Sequence, residues 1–163
     1  MSSISPALRA GTGADVDACV ALWVAACGAR DGEFVAGVDE RARQKFGHEV
    51  AWVLAERRDA TVAGFALATA PGSGLATDPS GATVLGLLAV DPQEQRSGVG
   101  GRLLVAITAA VASRGHSQLV LHALTDNVPA LRLYEKSGWV SYRDPFEHSL
   151  LKRPMQTYLL NLR

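Results

Sequence analysis

The chain has 163 residues, of which 48% are hydrophobic and 20% charged, and its 16 basic residues balance its 16 acidic ones. A chain of this size is expected to form one domain over residues 1–163 with a core of its own. The balanced charge, and the lack of an N-terminal signal segment or an apolar run of about 18 residues, argue against nucleic-acid and membrane partners and predict a cytoplasmic location.

The N-terminal half is predicted to form a strand, two helices and a hairpin. Residues 5–10 are extended, and Thr12 can cap the helix that follows, which Gly28 and Gly32 end. The apolar residues of that helix recur at steps of three and four on one face: Val16, Val20, Trp23 and Cys27. A charged helix over about 39–48 comes next. The hairpin consists of two strands, Ala51–Glu56 and Val62–Ala70.

The chain has two cysteines, Cys19 and Cys27, and both fall on the first predicted helix. Their side chains could not reach disulfide geometry from there, and the spacing fits none of the paired patterns of a zinc site. We therefore expect two packed thiols.

The C-terminal half is predicted to alternate strands and helices. Pro71–Gly81 has the composition of a surface loop, and the continuously apolar Thr83–Val90 is typical of a strand buried on both faces. The remaining elements are a helix over about Gly98–Arg114, a strand at Leu119–Ala123, a helix that Thr125–Asn127 can cap and that runs through Ser137, and strands Val140–Arg143 and Gln156–Leu162 around a loop, Asp144–Pro154. The order β-α-α-β-β-β-α-β-α-β-β predicts an α/β (α+β) fold with one mixed, mostly antiparallel sheet and helices on both faces.

A glycine-rich turn joins the buried strand to the next helix: Gln95, Arg96, Ser97, Gly98, Val99, Gly100 and Gly101. The first N–H groups of a helix have no intrahelical partners, and the helix dipole adds partial positive charge there. Gly98 and Gly100 carry no Cβ atoms that would hold a phosphate away from those amides. Gln95, Arg96 and Arg102 can add donors, so the turn predicts an anion site.

Two nucleotide-binding motifs do not fit this turn. A nucleoside triphosphate loop ends in Gly-Lys-Ser/Thr, where this chain has Gly100-Gly101-Arg102. A dinucleotide fingerprint needs a third glycine where this chain has Leu103, and an acidic residue that closes a later strand. An ordinary helix-start turn that uses glycine remains the alternative.

Two segments carry a resemblance to a known family. Leu88–Pro92, the turn Gln95–Gly100 and the Leu103-Leu104 pair together resemble the central motif of the GNAT acetyltransferase superfamily. Asn127–Trp139 resembles the second motif of the same family, whereas residues 1–60 match only in the pattern of elements. The resemblance implies the acyl-CoA N-acyltransferase fold, an N-acetyltransferase activity with acetyl-coenzyme A as co-substrate, and no metal.

The resemblance also implies where the cofactor binds. In this family the diphosphate lies on the glycine turn, and the pantetheine arm runs along the preceding strand like an added strand. The contacts implied for this chain are main-chain groups of Leu88, Ala89 and Val90, the amides from Arg96 to Gly101, and a hydrogen bond from Asn127. The next strand, Leu119–Ala123, would splay away and leave room for the thioester.

Tyr134 is the candidate acid. An amine that attacks a thioester must lose a proton, and a positioned acid helps the thiol to leave. Tyr134 matches the family's tyrosine that faces the cofactor sulfur, and the ordinary pKa of a tyrosine, about 10, keeps such a hydroxyl protonated. The alternative is a packed aromatic residue whose hydroxyl merely finds a partner.

His122 is the candidate base. It stands five residues before Asn127, where ribosomal-protein N-terminal acetyltransferases of this superfamily carry a glutamate base. Strand alternation would place its side chain on the side where the sheet opens, and an imidazole suits proton removal, directly or through water. The alternative is a hydrogen-bonded, half-buried histidine.

The acceptor amine is expected between the first helix pair and the last strands. Two loops there could receive a cationic amine: Asp31, Glu33 and Phe34 in the first, and Glu147 and His148 in the second. Loop carboxylates are more often simply solvated. Small molecules and peptide N-termini both stay open as acceptors, and Asp144–Pro154 could instead serve a homodimer.

Two non-catalytic functions remain beside the enzyme. A coenzyme A-binding module would keep the glycine turn without the chemistry, and an interaction protein on the same fold would need no cofactor.

Overall fold

The computed structural model describes residues 5–94 and 97–162. Its strands and helices, in chain order, are β1 (Ala7–Ala10), α1 (Val16–Asp31), α2 (Val38–Lys45), β2 (Glu49–Glu56), β3 (Val62–Thr69), β4 (Thr83–Val90), α3 (Val99–Ser113), β5 (Gln118–Leu124), α4 (Val128–Lys136), β6 (Val140–Glu147) and β7 (Pro154–Asn161). This is the element order that the sequence predicts. No helix among the described residues is long and apolar enough to cross a membrane.

The seven strands form one sheet in the order β1-β2-β3-β4-β5-β7-β6. All neighbouring strands run antiparallel except β4 and β5, which are parallel. The predicted mixed, mostly antiparallel sheet with helices on both faces is therefore confirmed. One face packs against α3, which contributes Leu103, Ile107 and Val111, and the other against α1 and α2, which contribute Cys19, Leu22 and Ala42.

A bulge in β4 changes which face its side chains occupy. The pairing with β3 passes from Ala68↔Leu85 to Leu67↔Leu87, so Gly86 is the extra residue. Leu85 consequently packs on the α3 side and Leu87 on the α1 side. An extra residue in a strand breaks the alternation of faces, and bulges often lie next to functional sites.

The first helix differs in detail from its prediction. Thr12 precedes a short 3-10 turn, and its N–H donates to Asp15 Oδ2 at 2.8 Å. The helix then continues through Gly28 and ends at Gly32, which has φ +78°. Cys19 and Leu22 are buried on its inner side, whereas Trp23, placed on the apolar face by the sequence, is only half-buried.

Both cysteines are packed free thiols, as predicted. Burial raises the pKa of Cys27 and raises that of Cys19 to about 12.

The last two strands are longer than the sequence predicts. Much of the predicted loop Asp144–Pro154 is strand, and only residues 148–153 connect β6 to β7. Arg143 has φ +62°, and the pairing skips from Tyr142 to Phe146, so the poor strand formers Asp144 and Pro145 lie in an irregular part of the ladder. Tertiary pairing with β7 overrides the local sequence there.

Candidate active site

The sheet opens between its two parallel strands. β4 and β5 pair only at Thr83↔Leu119 and Val84↔Val120. Beyond that point β5 stays with β7 to Leu124, while β4 follows β3 to Val90. The two strands therefore separate towards their carboxyl ends, which is where α/β sheets bind ligands, and the splay expected for the fifth strand is present.

Arg57 holds the turn that leaves β4. Its guanidinium donates to Asp91 Oδ2 at 2.9 Å and to Glu94 Oε1 at 3.0 Å, and the Asp91 N–H donates to the carbonyl of Ala63. The pKa of Asp91 is lowered by the hydrogen bond from the Gln93 N–H and by Arg57. These contacts fix the chain just before the glycine turn, of which Gln95 and Arg96 lie outside the described residues.

The N-terminus of α3 points into open space at the end of β4. Gly98 has φ +85°, a conformation that favours glycine, and the first bond of the helix runs from the Arg102 N–H to the Gly98 carbonyl. The amides of Val99, Gly100 and Gly101 accordingly have no partner within the helix. A Cβ atom at Gly98 or Gly101 would meet nothing within 4 Å. An anion therefore fits in front of these amides, next to the strand opening.

Two neighbours of this turn have separate roles. The Ser97 hydroxyl donates to the Glu94 carbonyl at 2.5 Å, which tightens the turn. Arg102, expected as a possible phosphate donor, instead donates to the Pro6 carbonyl at 2.8 Å and so ties the residue just before β1 to α3.

Asn127 stands at the N-cap of α4, three residues after the end of β5. Its main chain accepts from Leu131 N–H, but its side chain makes no capping hydrogen bond. Among the described residues the side-chain amide has no hydrogen-bond partner.

Tyr134 lies about two helical turns further along the chain and is buried, with its ring 6.1 Å from Trp139 and 6.3 Å from Tyr158. Within the described part of the chain its hydroxyl has no hydrogen-bond partner. Burial raises the pKa of Tyr134 to about 12, and the cation of Arg30 partly opposes this effect. A hydroxyl with this pKa stays protonated and can donate.

His122 projects from β5 on the α1 side of the sheet and meets a carboxylate. Its Nε2 atom lies 2.8 Å from Asp78 Oδ1, and the two side chains are 16% and 8% exposed. Asp78 belongs to the loop between β3 and β4, and its other oxygen accepts from the Leu75 N–H at 2.9 Å. A Cβ at Gly74 would collide with this carboxylate, so the loop packs directly on the pair. If Nε2–H donates to Asp78, Nδ1 of neutral His122 is left as an acceptor.

The acidic residues expected at the acceptor site have different environments. The Asp31 carboxylate is 6% exposed and binds both Arg30 at 2.7 Å and Arg153 at 2.6 Å. These guanidiniums, Arg30 first, lower the pKa of Asp31 to about 2. Glu33 is exposed, and Phe34, at 75% exposure, lies over Gly28.

Three residues of the same region form contacts that the sequence did not predict. Lys45 Nζ donates to the Gly86 carbonyl at 2.9 Å, and Arg41 donates to Ser149 Oγ at 3.0 Å. His148 Nδ1 accepts from two backbone N–H groups of the β6–β7 loop. The sequence predicts His148 for the acceptor side, whereas the only sign of Arg41 and Lys45 in the sequence is their spacing, which places them on one face of α2.

The sequence of this chain is similar to those of known acetyltransferases. Residues 20–139 match the Acetyltransferase (GNAT) family. Mycothiol acetyltransferase from Clavibacter sepedonicus is 32% identical over 136 residues, which are 82% of this chain and 42% of that protein. The chain spans less than half the length of the curated relatives it matches.

Solved structures share the fold. The ribosomal-protein-S18-alanine N-acetyltransferase from Escherichia coli has a TM-score of 0.72 at 20% identity, covering 96% of this chain and 93% of that one. The protein yncA from Salmonella typhimurium, solved with its cofactor acetyl-CoA, has a TM-score of 0.71 at 19% identity, covering 99% and 95%.

Proposed function

The chain belongs to the acetyltransferase (GNAT) family, and from that premise we propose that residues 1–163 act as one domain that transfers an acetyl group from acetyl-coenzyme A to a primary amine. The observation that carries this proposal is the separation of β4 from β5, with the open N-terminus of α3 at its end.

The residues around the opening fit such a ligand. The main chain of Leu88, Ala89 and Val90 in β4 binds the pantetheine arm, and the amides at the start of α3, from Val99 to Gly101, bind the diphosphate. Asn127 supplies an amide side chain from the N-cap of α4. When bound, acetyl-coenzyme A supplies the acetyl group as a thioester.

His122 accepts the proton that the acceptor amine must lose. A carboxylate on Nε2 fixes the ring and favours the tautomer whose Nδ1 lone pair is free, and it stabilises the imidazolium that forms. In the family members with a glutamate at this position the base is itself anionic. Here the base is an imidazole, and the negative charge belongs to its hydrogen-bond partner, Asp78.

Tyr134 donates a hydrogen bond or a proton at the thiol that leaves. Its raised pKa keeps the proton on the oxygen at neutral pH, and its hydroxyl is not committed to another described residue. Tyr134 thus serves as the acid and His122 as the base, from opposite faces of the sheet.

The test has two parts. Acetyl-coenzyme A at a hundred times its dissociation constant should stabilise the chain by about 2.7 kcal/mol in thermal unfolding. A panel of primary amines should then release free coenzyme A thiol. Stabilisation without turnover of any amine would identify a non-catalytic coenzyme A-binding module, and no stabilisation at all would reject the cofactor site as well.

A further inference from the structure

The acceptor side of the opening carries an excess of positive charge. Four cations contribute, after burial, to lowering the pKa of His148: Arg41, Lys45, Arg30 and Arg153. They come from two helices and from the β6–β7 loop, which meet where Arg41 donates to Ser149 Oγ. Burial, with these cations, lowers the pKa of His148, so the imidazole is neutral at physiological pH.

Only part of this charge is neutralised by the protein. Arg30 and Arg153 bind Asp31, and Arg153 also binds Asp126. Among the described residues neither Arg41 nor Lys45 has a carboxylate partner. Each instead donates to a neutral oxygen, the Ser149 hydroxyl and the Gly86 carbonyl respectively. The neighbouring Arg43, by contrast, is paired with Asp17 at 2.7 Å.

His148 adds a neutral donor to the two unpaired cations. Its Nδ1 accepts from the Leu150 and Leu151 N–H groups at 3.0 and 2.9 Å, so the proton of the neutral ring resides on Nε2. Two cations and one N–H group form a suitable set of donors for a carboxylate.

The position of Lys45 relates this set to the strand opening. Its partner, Gly86, is the bulge residue of β4 and lies just after the last pairing with β5. A small anion bound by Lys45 is therefore held beside the opening on the α1 side, which is also the side of His122.

We propose that the acceptor is a primary amine that carries a carboxylate, such as an amino acid, and that Arg41, Lys45 and His148 bind this carboxylate. This inference rests on the proposed function, because only a transferase has an acceptor to bind here. Asp31 and Glu33 led us to expect a site that recognises a positive charge on the acceptor, whereas this site recognises a negative charge. The carboxylate of Asp31 is already held by two guanidiniums. Peptide N-termini, which lack a nearby carboxylate, and polyamines would be poor acceptors.

The experiment compares matched acceptors that differ only in charge. L-amino acids and their amides are supplied with acetyl-coenzyme A, and kcat/KM is measured from released thiol. The acids should exceed the amides by about ten- to a hundredfold, the range for a hydrogen-bonded charged group. In Lys45→Met this ratio should fall towards one. Arg43→Gln, on the same helix, should keep the wild-type ratio.

A binding measurement separates this inference from the proposed function. N-acetyl-L-alanine and N-acetyl-L-alaninamide are titrated against the chain while the His148 resonances are followed by NMR, assigned with His148→Gln. The acid alone should raise the pKa of His148, because an anion offsets the surrounding cations. If amides are acetylated as well as acids, the inference fails and the proposed function stands. If no amine is acetylated, the proposed function fails, and the titration alone tests the carboxylate site. A shift in the pKa of His148 with the acid alone supports that site, and no shift rejects it.

Discussion

His122 Nε2 lies 2.8 Å from Asp78 Oδ1, and this contact joins the β3–β4 loop to β5 beside the place where the sheet opens. Both side chains are largely buried, so water competes little for either group. A carboxylate in this position orients an imidazole and stabilises its charged form. Asp78 therefore acts on the reaction through His122, as a positioning residue.

We expect Asp78→Asn to lower kcat by about ten- to a hundredfold while the KM for acetyl-coenzyme A stays nearly unchanged. His122→Ala should lower kcat at least as much, and the double variant should lose little beyond His122→Ala because the two residues act as a unit. Steady-state kinetics measure all three. The 15N spectrum of His122 should also show loss of the Nε2–H tautomer in Asp78→Asn.

Asp59→Asn serves as the control for this pair, since Asp59 is an exposed carboxylate that bonds only within its own turn. Additive losses in the double variant, or a normal kcat in Asp78→Asn, would show that the pair only fastens the loop.

Tyr134→Phe should lower kcat by about a hundredfold or more and change acetyl-coenzyme A affinity much less. The reason is that the ring, which packs with Trp139 and Tyr158, is retained and only the donor is lost. Because burial raises the pKa of Tyr134 to about 12, wild-type activity should show no alkaline limb from this group below about pH 10. Tyr158→Phe is the matched control. A loss confined to affinity would make Tyr134 a structural contact.

Local sequence patterns were enough to predict the element order and the glycine turn. Gly98 has the positive φ that a helix-start turn needs, and Asn127 stands at the predicted start of α4. Contacts between distant residues could not be predicted in this way. The contact between His122 and Asp78 spans 44 residues, and that between Lys45 and Gly86 spans 41. Each depends on the sheet order, which periodicity alone does not determine.

The bounds of β6 were missed for a related reason. Asp144 and Pro145 favour a loop by themselves, yet β7 pairs on both sides of them. Gln156 Nε2 also donates to the Arg143 carbonyl at 2.9 Å, which stabilises the irregular stretch from the neighbouring strand.

Gly98→Ala and Gly101→Ala should have opposite effects on stability. Alanine at Gly98 must adopt φ +85°, which should lower the free energy of unfolding by about 1–2 kcal/mol. Gly101 is a regular helical position in open space, where alanine should raise the free energy of unfolding by up to about 1 kcal/mol. Denaturant unfolding measures both. If phosphates occupy that open space, Gly101→Ala should nevertheless weaken acetyl-coenzyme A binding, and unchanged affinity would argue against that position of the diphosphate.

Arg57→Gln should weaken acetyl-coenzyme A binding by about three- to tenfold. Arg57 both holds the turn before Ser97 and neutralises Asp91 and Glu94, so its loss leaves two carboxylates beside the anion site. Affinity is measured by calorimetry at two salt concentrations, and the loss should shrink at high salt because repulsion is screened. Arg58→Gln, at the exposed next position, is the control. An equal loss in both variants would contradict the assignment.

The Asp31 carboxylate should make stability depend on acid pH. Arg30 and Arg153 lower its pKa in the folded chain from the ordinary 3.8 to about 2, so the unfolded chain binds its proton first as the pH falls. The stabilisation is then complete above about pH 4 and is lost as the pH drops through about 2, which corresponds to about 2 kcal/mol. Urea unfolding between pH 5 and pH 2 should show this decline in wild type and a shallower one in Asp31→Asn. Asp17→Asn, which removes an exposed carboxylate, should follow the wild-type curve. Parallel curves for wild type and Asp31→Asn would mean that the two guanidiniums contribute no net stabilisation through Asp31.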